Sequence, residues 1–190
     1  MNHYFKITSS FSSSGTISLL LFFLLASPLW GDGKGVAQEC NVFYVTPGGA
    51  DSGTVGTKAN PADFLYALSL VSGANDKIYM ASGTYNFSNP INLINNVTIE
   101  GGFDPTTWEK SNSTATNIYR DNANIEPTPS RLVAMYGNTI SNFLLQDLTI
   151  RCSDAFGNST STYSVHLTNC SNYEIVRCKL IAGNAGNASN

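Results

Sequence analysis

The strongest constraint on this chain is a pattern that occurs twice, thirty residues apart. Ser141 to Ile150 reads SNFLLQDLTI, and Ser171 to Leu180 reads SNYEIVRCKL. Ser-Asn opens both copies. Phe143, Leu145, Leu148 and Ile150 in the first correspond to Tyr173, Ile175, Cys178 and Leu180 in the second. A fainter copy, NNVTIEGG, starts at Asn95, with Val97 and Ile99 as its apolar positions. Repeats with periods of about 20 to 50 residues are signatures of solenoids, propellers and arrays.

The parity inside each copy narrows the choice. Phe143 and Leu145 are two apart, Leu148 and Ile150 are two apart, but Leu145 and Leu148 are three apart. Strand side chains alternate faces, and a slip of one residue sends a whole set to the other side. All four residues can face one core only if the chain turns a corner at Gln146-Asp147, and again at Val176-Arg177. Neither dipeptide has hairpin chemistry. Strand, corner, strand and return path describe one turn of a parallel β-helix, in which successive turns stack at about 4.8 Å and like lies upon like. The core stack expected is therefore Phe143, Leu145, Leu148 and Ile150 under Tyr173, Ile175, Cys178 and Leu180. Asp147 would lie beside Arg177 on the outside.

The rest of the chain fits around this reading. Lys6 is the one charge before a Ser-rich stretch and the apolar run ISLLLFFLLASPLW, Ile17 to Trp30. That run is short for a membrane span and suits a signal peptide over residues 1–37, with cleavage after Ala37 in GVA. The mature chain is then exported, secreted or held on the outer cell surface, with no membrane span of its own. Residues 38–76 read as a short strand (NVFYV), a Gly-rich loop and one helix over about 61–72. Asn60 and Pro61 are the expected N-cap and first helical residue, and Phe64, Leu65, Leu68 and Val71 share a face. This helix is placed to cap the first turn of a solenoid, whose open strand edges need covering. Residues 77–190 are short β-type runs forming the coils, with a polar insertion near 105–130. The sequence stops inside or just after a coil, so the solenoid is expected to be incomplete at its C-terminus.

Charge and cysteines set limits on function. Only 12% of residues are charged and the net charge is −3, so no basic patch points to nucleic acid. Export permits disulfides, and Cys40, Cys152, Cys170 and Cys178 allow three full pairings between which spacing does not choose. Cys178 stands where Leu148 stands one repeat earlier and reads as a small core hydrophobe. Lys58 is misplaced for a phosphate-binding loop.

The segment FYVTPGGADSGTVGTKANPADFLYAL, followed by KIYMASGTYN and NNVTIEGGFD, resembles the start of secreted bacterial right-handed parallel β-helix proteins with the pectin-lyase-like fold. Tyr44, Val45, Gly49, Asp51, Gly56, Asn60, Pro61, Ile78, Ala81, Gly83, Thr84, Tyr85, Ile99, Gly101, Gly102, Phe103 and Asp104 carry the resemblance. It covers residues 41–104 well and those after Arg131 loosely. It implies an all-β solenoid, a right-handed parallel β-helix with an N-terminal capping α-helix. One such fold hosts many activities, among them pectate lyases, polygalacturonases and non-catalytic adhesins.

Catalytic strings of that family, such as NTD, a paired Asp-Asp, GHG and RIK, are missing from this sequence. Glycoside hydrolysis needs two placed carboxylates, and calcium needs six to eight oxygens; neither set is visible. No catalytic, cofactor-binding or metal-ligating residues are therefore assigned. Arg151 and Arg177 read as solvated strand residues and His166 as a lone strand-face histidine. Trp108 and Tyr119 read first as loop packing and second as rings for stacking on sugars, and Asp51 as a minor candidate for an ion. The expected function is an exported, non-catalytic, adhesin-like protein that binds an extracellular polysaccharide or a cell-surface partner. The alternative is the N-terminal part of a polysaccharide lyase or glycoside hydrolase whose catalytic coils lie beyond residue 190.

Overall fold

The computed structural model describes residues 41–111 and 113–188. The proposed leader with its Ala37 cleavage site, and Cys40, lie outside the described residues. In chain order the elements are β1 (Val42–Ala50), α1 (Phe64–Leu70), β2 (Asp76–Ala81), β3 (Gly83–Phe87), β4 (Ile91–Asn92), β5 (Val97–Phe103) and β6 (Thr116–Arg120). They continue with β7 (Glu126–Pro127), β8 (Ser130–Asn138), β9 (Ser141–Gln146), β10 (Leu148–Cys152), β11 (Ser161–Thr168), β12 (Ser171–Val176) and β13 (Lys179–Ile181).

The strands form three sheets. The first runs β1-β2-β5-β9-β12, the second β3-β6-β10-β13 and the third β4-β8-β11. Every pairing is parallel except the short β7–β8 ladder. From β2 onward the chain visits first, second and third sheet in rotation. This mostly parallel, all-β arrangement is compatible with a solenoid. Phe143 pairs with Tyr173, Leu145 with Ile175 and Ile150 with Leu180, so the sequence period and the ladder register coincide.

Apolar columns follow from that register. Ile78, Ile99, Leu145 and Ile175 line up in the first sheet, and Tyr85, Ile118, Ile150 and Leu180 in the second. Ile91, Met135 and Val165 line up in the third. Together they enclose one core, into which α1 inserts Phe64 and Ala67. Phe64 meets the rings of Tyr85 and Phe87 edge-on, at 6.4 and 5.9 Å.

The corners are single residues in the left-handed backbone region. Asp147 and Arg177 have φ of 55° and 50°. Asn96, Asn142 and Asn172, at 54°, 59° and 47°, mark the entrance to the first sheet. Asn tolerates this region better than most residues because its short amide bonds locally. These three also join one another: Asn142 Nδ2 donates to Asn96 Oδ1 at 3.0 Å, and Asn172 Nδ2 donates to Asn142 Oδ1.

Burial falls away along the columns. Phe143, Leu145, Leu148 and Ile150 are buried, whereas Tyr173 and Leu180 are 43% and 45% exposed. Ile175 and Cys178 are only partly buried. The reason is geometric: β11, β12 and β13 are the outer members of their sheets, with no described strand beyond them.

Two local expectations are corrected. The helix spans Phe64–Leu70 and its N-cap is Asp63, whose carboxylate accepts from Leu65 N and Tyr66 N at 2.8 and 3.2 Å. Asn60 and Pro61 are held by other bonds. Asn60 N and Thr57 N exchange backbone hydrogen bonds with each other's carbonyls, and Ala50 N donates to Pro61 O. The polar stretch 105–130 is also not all insertion. It contains β6, where Thr116, Ile118 and Arg120 are buried. Among the described cysteines, Cys152, Cys170 and Cys178 are free thiols. Burial pushes the Cys152 thiol up to about 11 and raises that of Cys178.

Candidate functional site

The outer face of the second sheet gathers the most chemistry. Because Tyr85, Ile118, Ile150 and Leu180 point inward, the residues beside them point out. One outward row runs Thr84, Asn117, Thr149, Lys179, and the next runs Asn86, Tyr119, Arg151, Ile181. A cleft of about 380 Å³ lies over these rows, lined by Tyr119, Arg151, Lys179, Asn117 and Thr84. A second, of about 200 Å³, adjoins it through Thr149 and Lys179 and is lined by Lys110, Asp147 and Arg177.

Asp147 organises the second cleft. Arg177 grips it with two bonds, Nε to Oδ1 at 2.6 Å and Nη2 to Oδ2 at 2.8 Å. Lys110 Nζ donates to the same carboxylate and also pairs with Glu100 at 2.5 Å. Gln146 Nε2 donates to Glu100 Oε1 at 2.7 Å and to Asp147 Oδ2 at 3.3 Å. The hydrogen bonds from Arg177, then those from Lys110, hold the Asp147 carboxyl far below the usual carboxylate range, against the opposing pull of partial burial. Arg177 is raised in turn by the same contact. Asp147 is thus a fixed anion. A general acid for glycosidic cleavage needs the opposite, a carboxyl pushed up.

Lys110 reaches this place through a built loop. Asp104 accepts from Thr106 N and Thr107 N, both at 2.8 Å, which also lowers its own carboxyl. Trp108 adopts φ of 58°, and Ser111 N returns to Gly102 O at 2.7 Å. Trp108 itself is 7% exposed, edge-on to Tyr44 at 4.7 Å, with Nε1 donating to Lys58 O at 3.2 Å. It packs the loop and offers no ring to a ligand.

Arg151 and Lys179 differ from Lys110 and Arg177. Both are exposed, and neither forms an ion pair among the described residues. Four cations face two carboxylates across the two clefts, so the face is cationic in a chain of net charge −3.

The remaining candidates scatter. Asp51 is exposed in the opening loop, away from other ligands of its kind: among the described residues no group of three or more His, Cys, Asp or Glu is placed to hold a metal ion. Tyr119 does line the first cleft. His166 lies on the third sheet and is not alone there, being 3.1 Å from an Arg131 nitrogen. Lys110 and Lys179 were not foreseen. Lys179 sits between two apolar residues in the sequence pattern, a parity signal for an outward side chain; Lys110 carried none.

Comparison with known proteins returned nothing: no family model, no curated protein and no solved structure matches this chain.

Proposed function

We propose that the chain is an exported, right-handed parallel β-helix that binds anionic glycans along the outer face of its second sheet, without cleaving them. The rotation through three parallel sheets and the thirty-residue register support the solenoid. The observation that carries the binding reading is the pair of unneutralised cations, Arg151 and Lys179, beside the Tyr119 ring and the amide of Asn117. Cations fix carboxylate or sulfate groups, the ring stacks on the sugar face, and the amide and hydroxyls bond to its oxygens.

The test is calorimetric titration of the secreted protein with acidic oligosaccharides, oligogalacturonate and sulfated galactan, at two salt concentrations. Binding should weaken with salt, since exposed charges are screened within about 8–10 Å at physiological strength. The Arg151→Glu/Lys179→Glu variant should lose at least about tenfold in affinity, a change of roughly 1.4 kcal/mol. Affinity unchanged in that variant, or release of new reducing ends during incubation, would sink this reading.

A further inference from the structure

The outer face of the third sheet carries a separate cluster that the cationic face does not explain. Tyr163 and His166 stack with ring centroids 4.7 Å apart and planes at 25°. Tyr136 meets His166 edge-on at 5.6 Å. The Arg131 guanidinium lies 4.8 Å over the Tyr136 ring. Arg131 also donates from Nε to Glu126 Oε2 and brings Nη1 within 3.1 Å of His166 Nδ1. The ladder register produces this gathering, pairing Tyr136 with His166 across β8 and β11 and Arg131 with Glu126 across β7 and β8.

We infer that this cluster is a second binding surface, for a neutral sugar ring. The argument has three parts. Tyr163 is 38% exposed on the outer face, and its ring stacks on that of His166, which orients it. A pre-oriented aromatic ring binds a sugar face with little loss of conformational freedom. A guanidinium has donors only, so His166 Nδ1 accepts from Arg131 and Nε2 carries the ring proton, free to donate to a hydroxyl. Finally, Arg131 is neutralised by Glu126, with side-chain exposures of 16% and 25%. The pair offers a donor and an acceptor but no net charge. An acidic sugar gains nothing here, and a neutral one finds partners for its hydroxyls. This inference does not rest on the cationic face of the second sheet.

The experiment is a proton NMR titration of the whole protein with neutral gluco-, galacto- and manno-oligosaccharides, following the Tyr163 and His166 ring signals. Saturable shifts of both rings with at least one of these sugars are expected. Tyr163→Phe, which keeps the ring, should bind within about twofold of the parent. Tyr163→Ala should bind at least about fivefold more weakly, the scale of one lost aromatic contact. The Arg151→Glu/Lys179→Glu variant should bind neutral sugars as the parent does, which separates this surface from the other. Ring signals that stay still with all three sugars, or an unchanged affinity in Tyr163→Ala, would overturn the inference.

Discussion

Ile150 and Leu180 occupy equivalent positions one repeat apart and are direct ladder partners. Their surroundings differ: Ile150 is fully buried, and Leu180 is 45% exposed. Truncating each to Ala therefore removes similar atoms from two environments. At Ile150 the loss includes the transfer free energy and a cavity between neighbours above and below, about 3–4 kcal/mol in a packed core. At Leu180 roughly half the side chain is already in water, full burial of a leucine is worth about 1.5–3 kcal/mol, and no closed cavity forms. A cost of about 1 kcal/mol follows for Leu180→Ala. For a chain of this size a kilocalorie moves Tm by roughly 2–4 °C. Thermal unfolding followed by circular dichroism should give a drop of about 10 °C for Ile150→Ala and about 3 °C for Leu180→Ala. Equal drops would refute the reasoning, because they would require something to cover Leu180 in solution. Repeating both melts over a hundredfold range of concentration would then report whether a second copy is the cover.

Three further outcomes follow from the corners. Asp147 has its folded-state carboxyl lowered by Arg177 and Lys110, so its contribution is present above the ordinary carboxylate range and is lost as pH falls below about 4. Asp147→Asn should flatten the acid limb of the stability curve and cost about 1 kcal/mol at neutral pH, read by urea unfolding at pH 3 and pH 7. Asn142→Ala strains a left-handed residue, at roughly 1–2 kcal/mol, and removes two ladder bonds, at about 1 kcal/mol each. Asn142→Gly should recover only the backbone part, so equal stabilities of the two variants in the same urea series would contradict the strain, and a glycine variant as stable as the parent would contradict the ladder's contribution. Gly101→Ala would place a Cβ 2.6 Å from Asp147 O and 2.8 Å from Leu148 Cδ2 and Thr116 Cβ. With backbone on one side, overpacking of about 1–3 kcal/mol is expected, again measured as a urea midpoint.

The sequence carried the repeat because strand side chains have a period of two, and one odd step in that period can be seen by eye. Leu145 to Leu148 is that step, and Asp147 is the corner it implied. The sequence did not carry β6. Thr116 and Arg120 look like loop residues, yet both are buried: backbone groups take up the Thr116 hydroxyl, and the Arg120 Nη atoms find carbonyls and the Asp121 carboxylate at 3.2 Å, while Nε has no partner among the described residues. Thr116 Oγ1 lies 3.2 Å from Ala81 O and accepts from Gly102 N at 2.9 Å. Arg120 reaches Asp121 O at 2.5 Å and also Asn124 O. Such partners lie dozens of residues away or in a loop with no period. The helix start failed for a related reason. Asn60-Pro61 is a sound local signal, but Ala62 bridges Val45 and Ala50, and that tertiary pairing holds residues 60–62 out of the helix. Little of the candidate site was legible: Arg151 reads in the sequence only as a solvated strand residue and Tyr119 as a ring in a polar stretch, and only the register shows that they are neighbours.

The corner and the proposed binding face are coupled through Asp147, and this decides which substitutions are informative. Asp147 turns the chain from β9 into β10, and its carboxylate holds Arg177, the matching corner residue one repeat on. It also holds Lys110, which ties down the loop beyond β5. Two of the four cations on this face are therefore spent on the fold. Changing Lys110, Asp147 or Arg177 alters the corner and the cleft together, and a loss of binding there has no unique meaning. Arg151 points outward beside the fully buried Ile150, Lys179 points outward beside the half-exposed Leu180, and neither pairs with a described carboxylate. Their charges can be reversed without opening the core. A binding defect at these two positions, with an unshifted melt, therefore reports on the ligand alone.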